Sequence, residues 1–275
     1  MLSLLVSFVL SFPVYAQVKL RGNLPCEKRY VLAFLDAAPG FYKNEKGIKE
    51  GSSYDILMEV GRRLGCKVSE EPGSYSAILD GFVRHRVDIT GLTTKSPKME
   101  NFGEFVEMYR VPRSLVVRKD SFGVNDSIES ILKNPKITFA GIIGGLFFIK
   151  ESEKEQLFKE RRLREVPGPQ EVFNALSEGR VQATFSSPAF TAYYLKRQNK
   201  LAQFKIIPDE KGEWQSLGFY LSIKRLSKEE RQRVRAIISN VRQDGTLLEI
   251  EKKYVNPADY IYYEPVALKD VSHIE

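Results

Sequence analysis

Apolar residues recur along this chain in two alternating rhythms, short β-branched runs and then spacings of three and four. Residues 29–35 form a run of the first kind and predict a strand. It leads into Asp36-Ala-Ala-Pro-Gly-Phe41-Tyr42, a turn with an aromatic tip, and the polar stretch 43–51 reads as a loop. Ser53 suits an N-cap, and Ile56, Leu57, Val60 and Leu64 then follow at helical spacing until Gly65. Residues 66–69 predict a second strand. Ile78, Leu79, Phe82 and Val83 place a short helix over 76–84, and 87–90 predict a third strand. This alternation argues a parallel sheet with helices on its faces.

After a mixed segment at 105–109, residues 113–118 predict a strand, 119–126 are polar, and the pattern begins again. A helical turn is expected over 128–132, a strand over 136–140, a glycine-rich loop at 141–145 and a helix from about 146 to 162. Helices follow over 170–177 and 189–196, with a strand over 181–185 between them. Strands over 204–207 and 218–223 precede a helix that Ser227 caps and that runs through Asn240. A last helix follows Gly245-Thr246 to Tyr254, and the tail 256–275 is tyrosine-rich without a period. The expected fold class is therefore α/β: two doubly wound lobes joined by two hinge crossings, near Lys119 and Leu217. Residues 28–117 and 218–255 would form lobe 1, and 118–217 lobe 2. A cleft between lobes is a usual small-molecule site, and hinge closure is the motion such an architecture allows.

Within that frame, Asp88-Ile-Thr-Gly91-Leu92-Thr93-Thr94-Lys95-Ser96-Pro97 stands out. It brings hydroxyls, backbone N–H groups and a cation to the carboxyl end of a strand, where open parallel sheets bind ligands. Gly91 permits close backbone approach. A plain strand-to-helix turn is the competing reading.

Composition narrows the classes. Hydrophobic residues are 43% of 275, enough for a core, and the net charge is +7. Short basic clusters stand at 159–164 and 224–235, and periodicity puts the second on a helix, where it reads as a solvated face. Neither zinc-finger spacing nor an aromatic RNA-binding signature is present, so no nucleic-acid partner is expected. Residues 1–16 are apolar and uncharged and end in Val14-Tyr15-Ala16. That run is shorter than the ~20 residues of a membrane span and fits a signal peptide cleaved near Ala16, although no Lys or Arg precedes it; a buried helix is the alternative. The product is expected to be exported to the periplasm. There, Cys26 and Cys66, each preceding a neighbouring strand, would form a disulfide or remain two buried thiols. His85 and His273 belong to no visible triad, and no metal-ligand spacing occurs, so neither catalytic residue nor cofactor is expected.

The order of motifs resembles the family 3 solute-binding proteins of bacterial ABC transporters, the polar amino-acid-binding type. The matching residues are Pro39-Gly-Phe41, then Gly51 with Asp55-Ile-Leu, Arg63-Leu-Gly65, Asp88-Ile-Thr-Gly91-Leu-Thr93 and Leu115-Val-Val-Arg-Lys-Asp120. Further matches are Leu176 with Gly179-Arg-Val181, Ser187-Pro188, Gly218, Asp244-Gly-Thr-Leu247 and Lys253-Tyr254, so the resemblance covers roughly 28–255. It implies the type II periplasmic binding fold, a clamshell that closes on a small solute, with an inner-membrane ABC permease as partner and a monomeric state.

The same resemblance shows departures. Members that bind α-amino acids carry an Arg where Lys98 or Met99 stands here, an Asp where Ser186 stands, and an aromatic where Ser52 stands. Lysine does not replace the planar fork of arginine on a carboxylate. The expected ligand is accordingly a small polar or anionic solute. Its expected site is Phe41, Ser52, Ser53, Tyr54, Gly91, Leu92, Thr93, Lys98, Tyr109, Arg110, Gly144 and Ser186, with Lys95 and Gly145 nearby. Two other functions compete. A cyclohexadienyl-dehydratase-like enzyme on this fold would need a general acid, for which Asp36, Asp55, Glu104 and Glu107 are candidates. A ligand-sensing module would serve a membrane receptor, and a chain that stops soon after its last matched helix favours delivery over a fused output domain.

Overall fold

Hydrogen-bonded pairing sorts the strands into two main sheets in a computed structural model that describes residues 26, 28–121, 123, 127–144, 148–209, 214–254 and 264–265. The proposed signal peptide and most of the tail lie outside those residues. The strands are β1 (Arg29–Leu35), β2 (Tyr42–Lys43), β3 (Lys49–Glu50), β4 (Lys67–Gly73), β5 (Ile89–Thr90), β6 (Thr93–Thr94), β7 (Gly103–Val111), β8 (Ser114–Arg118), β9 (Phe139–Ile142), β10 (Leu163–Val166), β11 (Ala183–Ser186), β12 (Phe204–Pro208), β13 (Gln215–Ser222) and β14 (Glu264–Pro265). The helices are α1 (Ser52–Leu64), α2 (Tyr75–Val83), α3 (Pro97–Glu100), α4 (Ile128–Lys133), α5 (Glu151–Lys159), α6 (Pro169–Ser177), α7 (Pro188–Arg197), α8 (Lys228–Gln243) and α9 (Thr246–Tyr254).

The first sheet has the order β14-β7-β13-β5-β1-β4, with β6 pairing to β13, and the second β10-β9-β11-β8-β12. β1 is parallel to β4 and β5, and β9 is parallel to β10 and β11. The other long pairings, β13 with β7 and β8 with β11 and β12, are antiparallel. Both faces of the second sheet are covered, which is why β8 reads Leu-Val-Val rather than alternating with polar residues. Leu115 and Val117 join one apolar cluster and Val116 the other.

Among the described residues the chain changes sheets twice, after Val111 at the end of β7 and after Pro208 at the end of β12. Both crossings precede the expected Lys119 and Leu217. Residues 114–118 were expected in the first unit, but their partners are β11 and β12. A β-branched run announces a strand without naming its neighbours.

Other differences have local causes. β4 runs on through Pro72 because it is an edge strand, where a missing N–H is tolerated. β10 lies partly within the basic cluster at 159–164. Its neighbour Arg162 is buried and donates to the carbonyls of Ile131, Leu132 and Ile137. The expected helix from 146 begins instead at Glu151, so Gly144 does not open a helix N-terminus. Glu264 and Pro265 of the tail add to β7 beside Arg110 and Tyr109.

Cys26 and Cys66 are bonded, with an S–S distance of 2.11 Å, and close a loop of 40 residues at the amino-terminal edge of β1 and β4. Such a link is worth roughly 2–4 kcal/mol through the unfolded chain. α8 is capped by a reciprocal pair, Ser227 Oγ accepting from Glu230 N and the Glu230 carboxylate accepting from Ser227 N. On α9, burial pushes the Glu251 carboxyl up to about 7, and the Tyr109 hydroxyl donating at 3.4 Å acts the other way. A folded-state pKa above the unfolded one favours the protonated form, so wild-type stability falls as pH rises from about 5 through 7. Glu251→Gln is expected to remove that decline and to gain roughly 1–2 kcal/mol at pH 8, read from urea midpoints across pH.

Candidate functional site

The carboxyl ends of the parallel strands of both sheets face one crevice. β1 ends at Leu35, β4 leads into Ser74 and Tyr75, and β5 leads into Gly91 and Leu92. From the second sheet come β9 with Gly144 beyond it, β10 with Pro169 beyond it, and β11 ending at Ser186. The two sides touch. The rings of Tyr42 and Tyr193 lie 6.1 Å apart across the junction. A Cβ at Gly144 would come within 4.0 Å of the Tyr75 ring.

One cavity is lined from both sides of the junction, and two small ones are each lined from one side. The wide one, at the mouth of the junction, about 920 Å³, is lined by Asp36, Tyr42 and Glu50 on one side and by Glu171, Tyr194 and Arg197 on the other. The two small ones each belong to one unit. One, about 10 Å³, is bounded by Leu35, Tyr75, Leu79, Leu92, Thr93 and Met99. The other, about 20 Å³, is bounded by Ile142, Phe173, Thr184, Phe185, Ser186 and Phe190.

The residues expected at the site divide sharply. Gly91, Leu92 and Thr93 line the first small cavity and Ser186 the second. Gly91 approaches β1 so closely that its N–H bonds Ala33 O at 2.5 Å, and a Cβ would stand 2.9 Å from Ser53 Oγ. Ser53 is not the expected N-cap, a position Gly51 takes; its Oγ accepts from Leu92 N at 2.8 Å and fixes the loop from behind. Ser52 is buried at the start of α1, its N–H bonded to Pro39 O. Gly144 sits at φ 74° in the turn after β9, against Tyr75 and Ser76.

Others leave the site altogether. Phe41 is core, stacked on Phe34 at 5.1 Å. Tyr54 tilts against both rings and donates to Glu70 on β4. Tyr109 faces Glu251 inside the first unit. Arg110 pairs with Glu107 at 3.0 Å and Lys95 with Glu100 at 3.1 Å, while Lys98 is exposed on α3. Gly145 lies outside the described residues. The cations that made an anion the expected ligand therefore do not converge. Met99, not Lys98, points inward and is 1% exposed.

The carboxylates needed by the dehydratase reading are also engaged elsewhere. Asp55 accepts from Tyr254 and Lys253, Glu104 binds Arg231 and Arg235, and Glu107 binds Arg110 and Ser216. Asp36 alone faces the junction, exposed at the mouth.

Sequence reasoning missed Tyr75, and the missing signal was available: it follows the carboxyl end of β4, where ligands are met. Tyr75 is 7% exposed and belongs to the same apolar cluster as Val116, Ala140 and Ile142 of the second sheet. Burial pushes its phenol up, while the Ser96 and Thr93 hydroxyls beside it act the other way.

Two α/β sheets that meet at the carboxyl ends of their strands, joined by two crossings, define the type II periplasmic binding fold. The chain belongs to the bacterial extracellular solute-binding proteins, family 3, whose model matches residues 31–257. It is similar to the L-cystine-binding protein TcyA of Bacillus subtilis (strain 168), 25% identical over 217 residues covering 78% of this chain and 76% of that one. It is also similar to the histidine-binding periplasmic protein of Escherichia coli (strain K12), 20% identical over 259 residues, 92% of this chain and 94% of that one. Among solved structures, a histidine kinase sensor domain with similarity to periplasmic binding proteins superimposes with a TM-score of 0.71 at 18% identity, over 83% of this chain and 96% of that one. Among the described residues no helix is long and apolar enough to cross a membrane.

Proposed function

We propose that this is an exported, non-enzymatic binding protein that captures a small solute between two lobes and delivers it to an inner-membrane ABC permease. Each sheet with its helices is one lobe, and the hinge lies where the chain leaves β7 and β12, at residues 112–113 and Asp209. The observation that carries this reading is the convergence of six strand ends, three from each sheet, on one crevice, with two sheet-to-sheet crossings among the described residues. Three of the four carboxylates an enzyme would draw on are held in ion pairs away from that crevice, which supports binding over turnover. The family membership and the curated relatives, which are binding proteins by name, support the same role.

The test is thermal unfolding against a panel of amino acids, organic acids, sugars and aromatic compounds, followed by small-angle scattering with any hit. A solute at ~100 times its dissociation constant adds about 2.7 kcal/mol. For a chain of this size the midpoint is expected to rise by roughly 5–10 °C, with a smaller radius of gyration. A panel in which no compound raises the midpoint or compacts the protein would sink the reading. Co-purification with a permease rather than a receptor kinase then separates delivery from sensing.

A further inference from the structure

Space and charge both place a solute at the mouth of the junction. The two small cavities, about 10 and 20 Å³, hold a single water at most. The wide one, about 920 Å³, has the size of a small-molecule site and takes its walls from both units. Four carboxylates and three cations line it, so its balance is negative in a chain whose net charge is +7.

Two of those carboxylates meet from opposite units. Asp36 follows β1, and Glu171 stands in the first turn of α6. Neither is held in an ion pair among the described residues. Both lie near one hydroxyl, that of Tyr194 on α7, which is 5% exposed. Burial pushes this phenol well above its ordinary value, and the Glu171 and Asp36 charges push the same way. The Ala38 N–H, in the loop after β1, hydrogen-bonds the Tyr194 oxygen and so brings the two units together at this point. Two carboxylates brought near one another repel unless a cation stands between them.

The cations of the lining do not fill that role. Lys43 and Lys46 stand exposed on the β2–β3 hairpin. Arg197 lies over the Tyr193 ring at 5.4 Å and donates to its hydroxyl at 3.3 Å. It shows that a guanidinium finds a favourable ring face at this mouth, and Tyr42 brings a second ring from the first unit, 6.1 Å from Tyr193. A ligand carboxylate, by contrast, meets no prepared fork. No arginine or lysine lines either small cavity, and Lys95, Arg110 and Arg113 are committed to Glu100, Glu107 and Glu153.

We infer that the solute is a small organic cation, an alkyl amine or guanidine, whose charged group lies between Asp36 and Glu171 at the mouth of the crevice and which needs no carboxylate to bind. This rests on the solute-binding reading above and gives it a chemical class. The cation turns a repulsion across the junction into two attractions. Only the closed arrangement offers both carboxylates, so such a solute favours closure.

Titration calorimetry tests this with agmatine, L-arginine and succinate. Agmatine presents a guanidinium and an amine without a carboxylate. Trp214, the chain's single tryptophan, stands half-exposed just before β13 and reports closure by its fluorescence. The wild-type protein is expected to bind agmatine at least as tightly as L-arginine and more tightly than succinate, with a change in Trp214 emission and an affinity that falls as salt is raised. Asp36→Asn and Glu171→Gln are each expected to weaken agmatine binding at least fivefold. Both side chains are exposed, so both variants should fold, and their thermal midpoints check this. A loss smaller than fivefold in either variant overturns the inference. So does tighter wild-type binding of L-arginine, succinate or a sugar than of agmatine, which leaves the solute-binding reading standing. If neither these compounds nor the wider panel bind and scattering shows no compaction, both readings fall.

Discussion

Arg113→Ala is expected to lower the unfolding free energy by roughly 3–5 kcal/mol, the cost of removing one partner from a buried ion pair. Arg113 lies in the first crossing with its side chain 3% exposed. Its two terminal nitrogens bond both oxygens of Glu153 on α5 at 2.6 and 2.8 Å, and Nε bonds Asp209 in the second crossing at 2.5 Å. The Asp209 N–H also bonds the Arg113 carbonyl at 3.1 Å, and the guanidinium lies over the Phe185 ring at 4.6 Å. Truncation would leave two carboxylates, each 13% exposed, facing one another without a cation. Arg113→Lys should recover little, because an ammonium cannot span the fork to Glu153 while reaching Asp209. Urea unfolding measures the loss, and Trp214 emission reads whether the crossings loosen before the sheets unfold. A loss under 1 kcal/mol in the alanine variant would show that the clasp contributes nothing net.

Asp88→Ala is expected to cost a similar ~3–5 kcal/mol, for a different reason. Asp88 is fully buried at the entry to β5. One carboxylate oxygen accepts from Val31 N of β1 at 2.8 Å, and the two oxygens receive Arg225 at 3.0 and 3.1 Å. Its backbone adds two more ties, to Val31 O and from Ser222 N. The side chain therefore joins β1, β5 and the turn before α8. Alanine would strand the Val31 N–H and release Arg225, which donates also to His85 O. Asp88→Asn keeps the shape and one acceptor, so its cost should be clearly smaller. Equal losses for Ala and Asn would mean that charge alone holds this junction. Because β5 feeds the loop of Gly91 to Thr93, both variants should also weaken solute binding.

Much of the architecture was legible because periodicity is a local property. The alternation of strand and helix, the restart of the pattern near residue 128, and the Ser227 cap each depend on neighbours a few positions away. The two cysteines pointed to a bridge in the same manner, since each precedes one of two strands that lie side by side. Where reading along the chain failed, the deciding partner was remote. Residues 114–118 looked like the last strand of the first unit until β11 and β12 claimed them. Residues 163–166 were assigned to no strand, and only their pairing with β9 makes them one.

The site shows the same division. The segment of Gly91 to Thr93 was recognisable as a strand end rich in small and hydroxyl side chains, and it borders a small cavity of the first unit. Direction was not recognisable. Lys98 and Met99 are adjacent on α3, yet one faces water and the other the crevice, and a four-residue helix carries no period by which to tell them apart. Lys95 was expected near the ligand and instead pairs with Glu100, while Arg110 takes the alternative of pairing with Glu107. For Phe41 a ligand-facing and a core role both stood open, and Phe34 and Tyr54 enclose it in the core. Spacing along the chain thus settled the class of fold, the two-unit plan and the likeness to solute-binding proteins. The polarity of the crevice, the place of Tyr75 within it and the clasp at Arg113 were decided only in three dimensions, because each depends on groups that the chain brings together from distant positions.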